Sequence, residues 1–395
     1  MIIDTLRWFK RKVYGYICNR NYVLNTSLVQ QQLKSTVLQH LWNVHYNVHG
    51  ELQIDNVSVA AIVEQHGYSN PIHIVSHAKL KKNYDTFYGA FAQQFPVEIA
   101  YSYKTNPVPG VLNELHKLGA VAEVISHFEL NLALNVLKVD PKNVIFNGPG
   151  KTVKSIEQAV SYGIRIINAN SLKELHQINT IAGAAHKIQS VGLRLVTGVG
   201  WAGQFGFNAD DSLEMSDLFR KLITFKNVRL HGLHLHLGTG IKDINMYMKA
   251  IEKVVSVASM FSNWGCDIKY LDFGGGFGVP GVRFMNDMDA NMLQNGYPVI
   301  PYTEPVPSFK DYAEGIKSIF SSSPYSTMPI PKIIFEPGRA ITSSAQILVL
   351  SKIGEHGKKL ILNGGKNISI PLDYEYHHIL PVNNTEDKAF IDLYG

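Results

Sequence analysis

Short apolar runs that alternate with longer amphipathic stretches dominate this chain from Asn70 onward. Each run is too short for a helix and is bounded by turn-forming residues, a pattern typical of buried strands. We predict strands at 72–75, 97–101, 122–125, 144–146, 164–168, 190–195, 230–236, 268–273 and 332–336.

Amphipathic stretches separate these runs, with apolar residues at helical spacing. The clearest of them predict helices at 108–118, 153–162, 172–181 and 246–264. A helix between two buried strands is the βαβ unit of a parallel sheet. The pattern therefore predicts an α/β fold, a (β/α)8 TIM barrel with one strand outside it. An open doubly wound sheet stays an alternative, because periodicity does not show closure.

The pattern changes after Arg339, where short strands are predicted at 346–353, 358–362 and 368–371 with no helix between them. Gly354-Glu355-His356-Gly357 predicts the hairpin turn between the first two. We assign 1–48 to an N-terminal helical extension, 49–70 to a lead-in that contributes to the β-rich domain, 71–343 to the barrel and 344–395 to a partial C-terminal β-domain. The aperiodic segment 281–308 is predicted to be a surface insertion over the barrel mouth.

Composition narrows the classes of function. Lys+Arg 37 against Asp+Glu 32 leaves a net charge of +5, which is too small to indicate a nucleic-acid partner. No apolar run reaches the roughly 18–20 residues of a membrane span. The basic, aromatic N-terminus is either a helix packed on its own domain or an amphipathic helix that rests on a surface. Two cysteines without metal-site spacing favour a reducing compartment, and we predict a cytoplasmic protein.

Lys104 stands at the end of the predicted strand 97–101, and Asn106-Pro107 turns the chain directly after it. In a parallel barrel, side chains at this end of the strands point into the active site. We expect a desolvated lysine there, whose neutral amine forms Schiff bases with carbonyl compounds or with pyridoxal phosphate (PLP). The alternative is a solvated loop lysine.

Two motifs at other strand ends suit an anionic ligand. Asp272-Phe273-Gly274-Gly275-Gly276 follows a strand, and its glycines let backbone N–H groups approach an anion. The alternative is a flexible turn. No Gly-Lys-Ser/Thr follows, which argues against a nucleotide P-loop. Phe335-Glu336-Pro337-Gly338-Arg339 ends the last barrel strand, where Arg339 suits phosphate and Glu336 suits a protonated pyridine nitrogen. A structural salt bridge between the two is the alternative.

His234 and His236 are predicted to share one face of the strand 230–236. A His-x-His pair can bind zinc, but no further ligand has a matching position, and we assign no metal. A flat imidazole also stacks on a planar ring, and Gly238-Thr239 offers an N–H and a hydroxyl to a phosphate. A packed core histidine is the alternative for either residue.

Together these motifs resemble the PLP-dependent decarboxylases of the alanine-racemase-like fold, most closely the diaminopimelate decarboxylase group. The matching segments are Tyr-x-Tyr-Lys-Thr-Asn-Pro, Gly-Leu-His-x-His-Leu-Gly-Thr, Asp-Phe-Gly-Gly-Gly-Phe-Gly and Glu-Pro-Gly-Arg, and the resemblance runs from about His49 to Gly395. It implies PLP as the cofactor and an amino acid, diaminopimelate or a related basic one, as the substrate.

The resemblance also implies roles for individual residues. Lys104 would form the Schiff base with PLP, and His236 would stack on the cofactor ring; both would be catalytic. Glu336 would pair with the pyridine nitrogen, while Arg194 and Ser126 would line the site. The implied cofactor-binding set is Lys104, Ser126, Arg194, His236, Gly238, Thr239, Gly274, Gly275, Gly276, Glu336, Gly338 and Arg339.

Three departures from the family pattern affect the functional prediction. Glu123 stands where the family usually has Asp, and Gln204 replaces a usual Lys. The given sequence ends at Gly395, whereas family sequences continue at this point into a Pro-x-Cys segment that acts on the substrate of the partner subunit. We therefore expect a homodimer, or a second chain that supplies this part. The competing hypotheses are a non-catalytic or split PLP-binding subunit, a racemase of the same fold, and a Schiff-base aldolase without PLP.

Overall fold

A computed structural model of the protein describes residues 22–24, 41–200, 205–280, 305–357, 359–365, 368, 380–383 and 389–394. The chain divides into two compact units. One contains Met1–Leu80, Pro280–Pro305 and Ser343–Gly395, and the other contains Lys81–Val279 and Val306–Thr342. The second unit carries every residue that the sequence assigns to the cofactor site, so its architecture decides the geometry of that site.

Eight parallel strands close into a barrel in the second unit. The strand β8 pairs with β1, and β4 pairs with β5, so that the eight strands form a closed ring, to which the short strand Phe207–Asn208 is added beside β5. This closure confirms the predicted TIM barrel and rules out the open doubly wound sheet. The strands are β1 (Val97–Ser102), β2 (Val121–Val124), β3 (Val144–Phe146), β4 (Ile166–Ala169), β5 (Gln189–Val196), β6 (Val228–Leu235), β7 (Tyr270–Asp272) and β8 (Lys332–Phe335).

A helix follows each barrel strand, as the amphipathic pattern predicts. Residues 153–162 match the prediction at both ends, because Thr152 caps the first turn and Gly163 ends the helix in the left-handed conformation. The helices are α1 (Pro109–Lys117), α2 (His127–Asn131), α3 (Val153–Tyr162), α4 (Leu172–Ala184), α5 (Ser212–Leu222), α6 (Ile244–Asn263), α7 (Phe309–Ser321) and α8 (Arg339–Thr342).

Aliphatic side chains from neighbouring strands pack together in the barrel interior. Ala100, Val121, Ile145, Ile166 and Ile334 form one buried cluster, and each is at most 2% exposed. Close packing of such side chains makes the barrel interior a packed core rather than a channel. The polar residues assigned to the site lie at the rim where the strands end.

The other unit is rich in β-structure, which confirms that part of the fold prediction. Its strands Val44–Tyr46, Leu52–Ile54 and Val57–Ser58 form one antiparallel sheet, and Ile72–Val75 pairs with Gln346–Val349 in another. A four-stranded sheet has the order Tyr22–Leu24, Ala389–Tyr394, Lys359–Leu362 and Lys352–His356. The assigned domain boundaries stay a prediction.

The structure of this unit differs from the prediction at three places. A helical extension over 1–48 is wrong at 22–24 and at 44–46, where the backbone pairs as strands. The strand 346–353 is divided into two, since the second half changes partner and pairs with Lys359–Leu362. The turn predicted at 354–357 begins later, because Gly354 pairs with Ile361 and His356 with Lys359. The segments 281–304 and 369–371 lie outside the described residues.

Candidate active site

The predicted cofactor residues meet at one rim of the barrel because each of them lies at or beyond the carboxyl end of a parallel strand. Lys104 and Ser126 follow β1 and β2, and Arg194 lies near the end of β5. Residues 236–239 follow β6, 274–276 follow β7 and 336–339 follow β8. The structure thus places motifs that are far apart in the sequence around one centre.

Lys104 lies in a 3-10 turn, Tyr103–Thr105, that directly follows β1. Its side chain is exposed, so the expectation of a desolvated lysine is wrong for the chain as the structure describes it. The turn carries Lys104 beyond the end of the strand, where the packed interior no longer covers it. An exposed amine at the rim is accessible to an incoming carbonyl group.

The turn itself is held by contacts on both sides of Lys104. The hydroxyl of the fully buried Tyr103 lies 2.5 Å from Nε2 of His116, and Nδ1 of His116 lies 2.7 Å from the Ala120 carbonyl. Thr105 packs on Gly338, where an added Cβ would lie 2.0 Å from Thr105 Oγ1. The glycine after β8 therefore lets two strand ends approach each other directly.

The glycine segment after β7 has the backbone shape of an anion cradle. Gly274 has φ +64° and Gly276 has φ +86°, which L residues with a side chain rarely adopt. A Cβ would lie 2.2 Å from the Leu235 carbonyl oxygen at Gly274 and 2.3 Å from that of Gly238 at Gly276. This close approach of the two loops requires glycine. The turn alternative is thus only partly right, since the turn is tightly packed.

Glu336 is the buried carboxylate at the centre of the rim, with 4% of its surface exposed. Burial alone would raise its pKa, but His234 and the surrounding hydrogen bonds outweigh burial and hold the pKa below its usual range. Nε2 of His234 lies 3.5 Å from Glu336 Oε2. An ionised carboxylate is the form that stabilises a protonated ring nitrogen. Nη2 of Arg339 donates a hydrogen bond to Thr239 Oγ1 at 2.5 Å.

His234, Asp272 and Glu336 converge from three strands, and one potential ligand atom from each lies within 4.8 Å of the other two. Asp272 Oδ1 accepts a hydrogen bond from the Gly274 N–H at 2.9 Å. Burial first, then the Glu336 charge, raises the pKa of Asp272 well above its usual value. We therefore interpret the group as a proton-sharing cluster rather than a zinc site. His236, the other histidine of the His-x-His pair, is not one of its three members.

His236 and Arg194 flank this cluster. Burial, and then the charge of Lys104, lowers the pKa of His236 to about 3, so its ring is neutral at neutral pH. A neutral flat ring suits stacking better than an imidazolium does. The guanidinium of Arg194 lies 5.9 Å from the ring centre of Phe205. Strand register places Arg194 beside His234, and His234 beside Asp272.

Ser126 has a structural task as well as its predicted place in the site. Its hydroxyl accepts a hydrogen bond from the Glu129 N–H at 3.2 Å and caps α2. Glu129 Oε2 in turn accepts from the Ile125 N–H at 2.7 Å. These two hydrogen bonds hold the loop between β2 and α2 in place.

Three buried polar residues that support the site carried no assigned role in the sequence prediction. Asn147 and Asn168 lie at the ends of β3 and β4, and Nδ2 of Asn168 donates to Asn147 Oδ1 at 2.7 Å. Nζ of Lys151 lies 2.8 Å from Glu174 Oε1 and donates to the Asn168 carbonyl at 2.8 Å. A polar residue directly after an apolar run is the signal that would have identified Asn147.

Comparisons with known proteins agree with this geometry. Residues 77–343 match the family described as "Pyridoxal-dependent decarboxylase, pyridoxal binding domain". The chain belongs to this family. It is a PLP-dependent decarboxylase with the fold of its relatives, which confirms the resemblance inferred from the motifs.

Named relatives and a solved structure extend the match. The chain is 31% identical to the diaminopimelate decarboxylase of Aquifex aeolicus over 88% of this chain and 79% of that protein. It is 28% identical to the diaminopimelate decarboxylase of Haemophilus influenzae, over 88% of this chain and 80% of that protein. A crystal structure from Aquifex aeolicus aligns with a TM-score of 0.71 and 29% identity, covering 87% of this chain and 77% of that one.

The residues at the rim fit PLP. The loop at 274–276 leaves no space for side chains, Arg339 and Thr239 lie side by side, and Glu336 is buried with a lowered pKa. The glycine loop and the Arg339–Thr239 pair suit a phosphate, and Glu336 suits a protonated pyridine nitrogen. Within the described part of the chain, no helix combines the length and apolar character needed to cross a bilayer.

Proposed function

We propose that the chain decarboxylates diaminopimelate or a related basic amino acid, and that Lys104 is its point of attachment for PLP. The observation that carries the assignment is the shared rim. An exposed lysine, a glycine cradle beside Arg339 and a buried ionised carboxylate all end parallel strands of one barrel. The relatives named diaminopimelate decarboxylase support this substrate class.

The residues at the barrel rim have separate roles toward PLP. PLP, when bound, supplies the electron sink that takes up the electron pair left on the substrate carbon as CO₂ departs. Arg339, Thr239 and the N–H groups at 274–276 would hold its phosphate, and His236 would contact its ring. Glu336 would stabilise the protonated ring nitrogen. Lys104 would be the point of covalent attachment, and its amine would accept or return a proton. Arg194, Ser126, Gly238 and Gly338 shape the walls around these groups.

Labelling followed by turnover measurements tests this proposal. The purified chain is incubated with PLP, reduced with borohydride, digested and analysed by mass spectrometry. We expect phosphopyridoxyl on Lys104, and none in Lys104→Ala. CO₂ release is then measured with diaminopimelate, lysine, ornithine and arginine, and diaminopimelate is expected to be the best substrate. A folded chain in which Lys104 stays unlabelled would contradict the assignment.

We propose further that the active form is a homodimer, or a pair with a second chain that completes the substrate site, in the cytoplasm. The support for this assembly is the resemblance of the motifs to the decarboxylase family. Light scattering at several concentrations, with and without PLP, measures the oligomeric state. If Lys104 is labelled but no CO₂ is released from any of the four amino acids, the non-catalytic or split PLP-binding subunit becomes the better assignment.

A further inference from the structure

Asn147 directly follows β3 and is 3% exposed. Its amide nitrogen donates two hydrogen bonds, both to carboxylates from other strands. One hydrogen bond reaches Oε1 of Glu123, which lies in β2, at 3.0 Å. The other reaches Oε1 of Glu336, which directly follows β8. The two protons of a single amide thus bridge two buried acids on opposite sides of β1.

Neighbouring groups hold this amide in one orientation. Asn168 Nδ2 donates to Asn147 Oδ1 at 2.7 Å, so the oxygen of Asn147 faces β4 and its nitrogen faces the carboxylates. The Asn147 backbone N–H donates to the Val124 carbonyl at 2.8 Å. Asn168 itself packs on the bare backbone of Gly192, where an added Cβ would lie 1.9 Å from its Oδ1. Contacts from β2, β4 and β5 therefore support the donor.

The amide also separates the two acids electrostatically. Glu123 is 1% exposed, and burial followed by the charge of Glu336 raises its pKa to about 7. The pKa of Glu336 is instead held low. A neutral donor between them satisfies one oxygen of each acid, so the negative charge can remain on Glu336 while Glu123 takes up the proton.

We propose that Asn147 is a positioning residue, which fixes the Glu336 carboxylate and so sets how strongly this carboxylate binds the ring nitrogen of PLP. The inference rests on the proposed pairing of Glu336 with that nitrogen. Hydrogen bonds to charged groups are the strong ones, and leaving a buried acceptor unpaired is costly. Removal of the amide therefore weakens binding of a cofactor that has the ring nitrogen, and spares a cofactor that lacks it.

The test compares two cofactors on one apo-protein. PLP and 1-deaza-PLP, which carries C–H in place of the ring nitrogen, are titrated separately and their dissociation constants are measured by protein fluorescence. The quantity of interest is the ratio of the two constants, because general damage to the site changes both alike. For Asn147→Leu, which keeps the branched shape of the side chain and removes the donor, we expect the preference for PLP to fall about tenfold.

Two further variants provide a matched control and a second test of the role of Asn147. Asn170→Leu is the matched control, since Asn170 also follows a strand end but its amide donates to Gly148 and Glu174 rather than to either acid. It is expected to keep the wild-type ratio. Asn168→Ala removes the donor that orients Asn147 and is expected to lower the preference by about threefold, which provides a second reading if Asn147→Leu does not fold.

Glu336→Gln distinguishes failure of this inference from failure of the assignment beneath it. If the unaltered chain prefers PLP and Glu336→Gln abolishes that preference, the pairing with the ring nitrogen stands. A preference unchanged in Asn147→Leu and Asn168→Ala would then overturn only the role of Asn147. If Glu336→Gln leaves the ratio at its wild-type value, the assigned role of Glu336 is itself wrong.

Discussion

Nη2 of Arg339 lies 2.5 Å from the hydroxyl oxygen of Thr239, although the two residues follow different strands, β8 and β6. A Cβ added at Gly240 would lie 3.4 Å from the same nitrogen. The guanidinium and the hydroxyl are thus brought side by side next to closely packed backbone. Such a pair offers several donors to one anionic group.

Replacement of Arg339 by Met is expected to weaken PLP binding by about 10- to 100-fold, because a charge-assisted contact to phosphate is lost. Binding of pyridoxal, which has no phosphate, is expected to change by less than about twofold. Fluorescence titration of the apo-protein measures both. Arg220→Met, at an exposed surface pair with Asp217, serves as the control. Equal loss for PLP and pyridoxal would argue against phosphate binding by Arg339.

Gly275 allows the loop after β7 to touch the backbone after β8. A Cβ at this position would lie 2.2 Å from the carbonyl oxygen of Glu336, and a backbone oxygen cannot move away cheaply. We expect Gly275→Ala to destabilise the fold by about 1–3 kcal/mol and to displace Glu336. Thermal unfolding of the apo-protein measures the first effect, and PLP affinity measures the second.

Gly89→Ala is the matched control for this substitution. Gly89 lies within the helix His77–Ala92, and nothing lies within 4 Å of a Cβ placed there. Alanine at an unstrained helical site is expected to stabilise by about 0.5–1 kcal/mol. If both variants shift the melting temperature in the same direction and by the same amount, close packing at Gly275 is not what requires glycine.

Glu123 is expected to make stability depend on pH. Burial and the Glu336 charge raise its pKa from 4.5 to about 7, so the folded chain holds a proton that the unfolded chain releases. The stabilisation is fully present below about pH 4.5 and is lost as the pH rises through 7. Relative to Glu123→Gln, the wild type should lose up to about 3 kcal/mol between pH 5 and pH 8.

Thermal unfolding of both proteins across this pH range measures the effect. Glu157→Gln, at an exposed position of α3, is the control and is expected to leave the pH dependence unchanged. A constant difference between wild type and Glu123→Gln, or one that grows in favour of the wild type at high pH, would show that Glu123 is ionised throughout.

Lys151 and Glu174 form an ion pair in which the lysine side chain is 0% exposed. Removal of one partner leaves an uncompensated buried charge, so Lys151→Met is expected to destabilise by about 3–5 kcal/mol. Lys117→Met, which breaks an exposed pair with Glu114, should cost at most about 1 kcal/mol. Urea unfolding of the three proteins measures the differences. Similar losses for the two variants would contradict the buried character of the first pair.

The local pattern of apolar and polar residues determined much of the fold of this protein. The periods of its apolar positions predict the strand at 144–146 and the helix at 153–162 to the residue. Every cofactor motif lies at or beyond the end of an apolar run, and parallel strands place such ends at one rim. The barrel fold was therefore predictable from these periods, whereas the class of cofactor was predictable from the resemblance of four motifs to a known family.

Tertiary structure alone decided which side chains meet across the rim. Asn147 and Glu336 are 189 positions apart, and their contact depends on the closure of the barrel and on its strand register. The exposure of Lys104 depends likewise on the turn that carries it past the packed core. Local periodicity specifies which face of a strand is buried, whereas the partner of a buried polar group is chosen by the packing of all eight strands together.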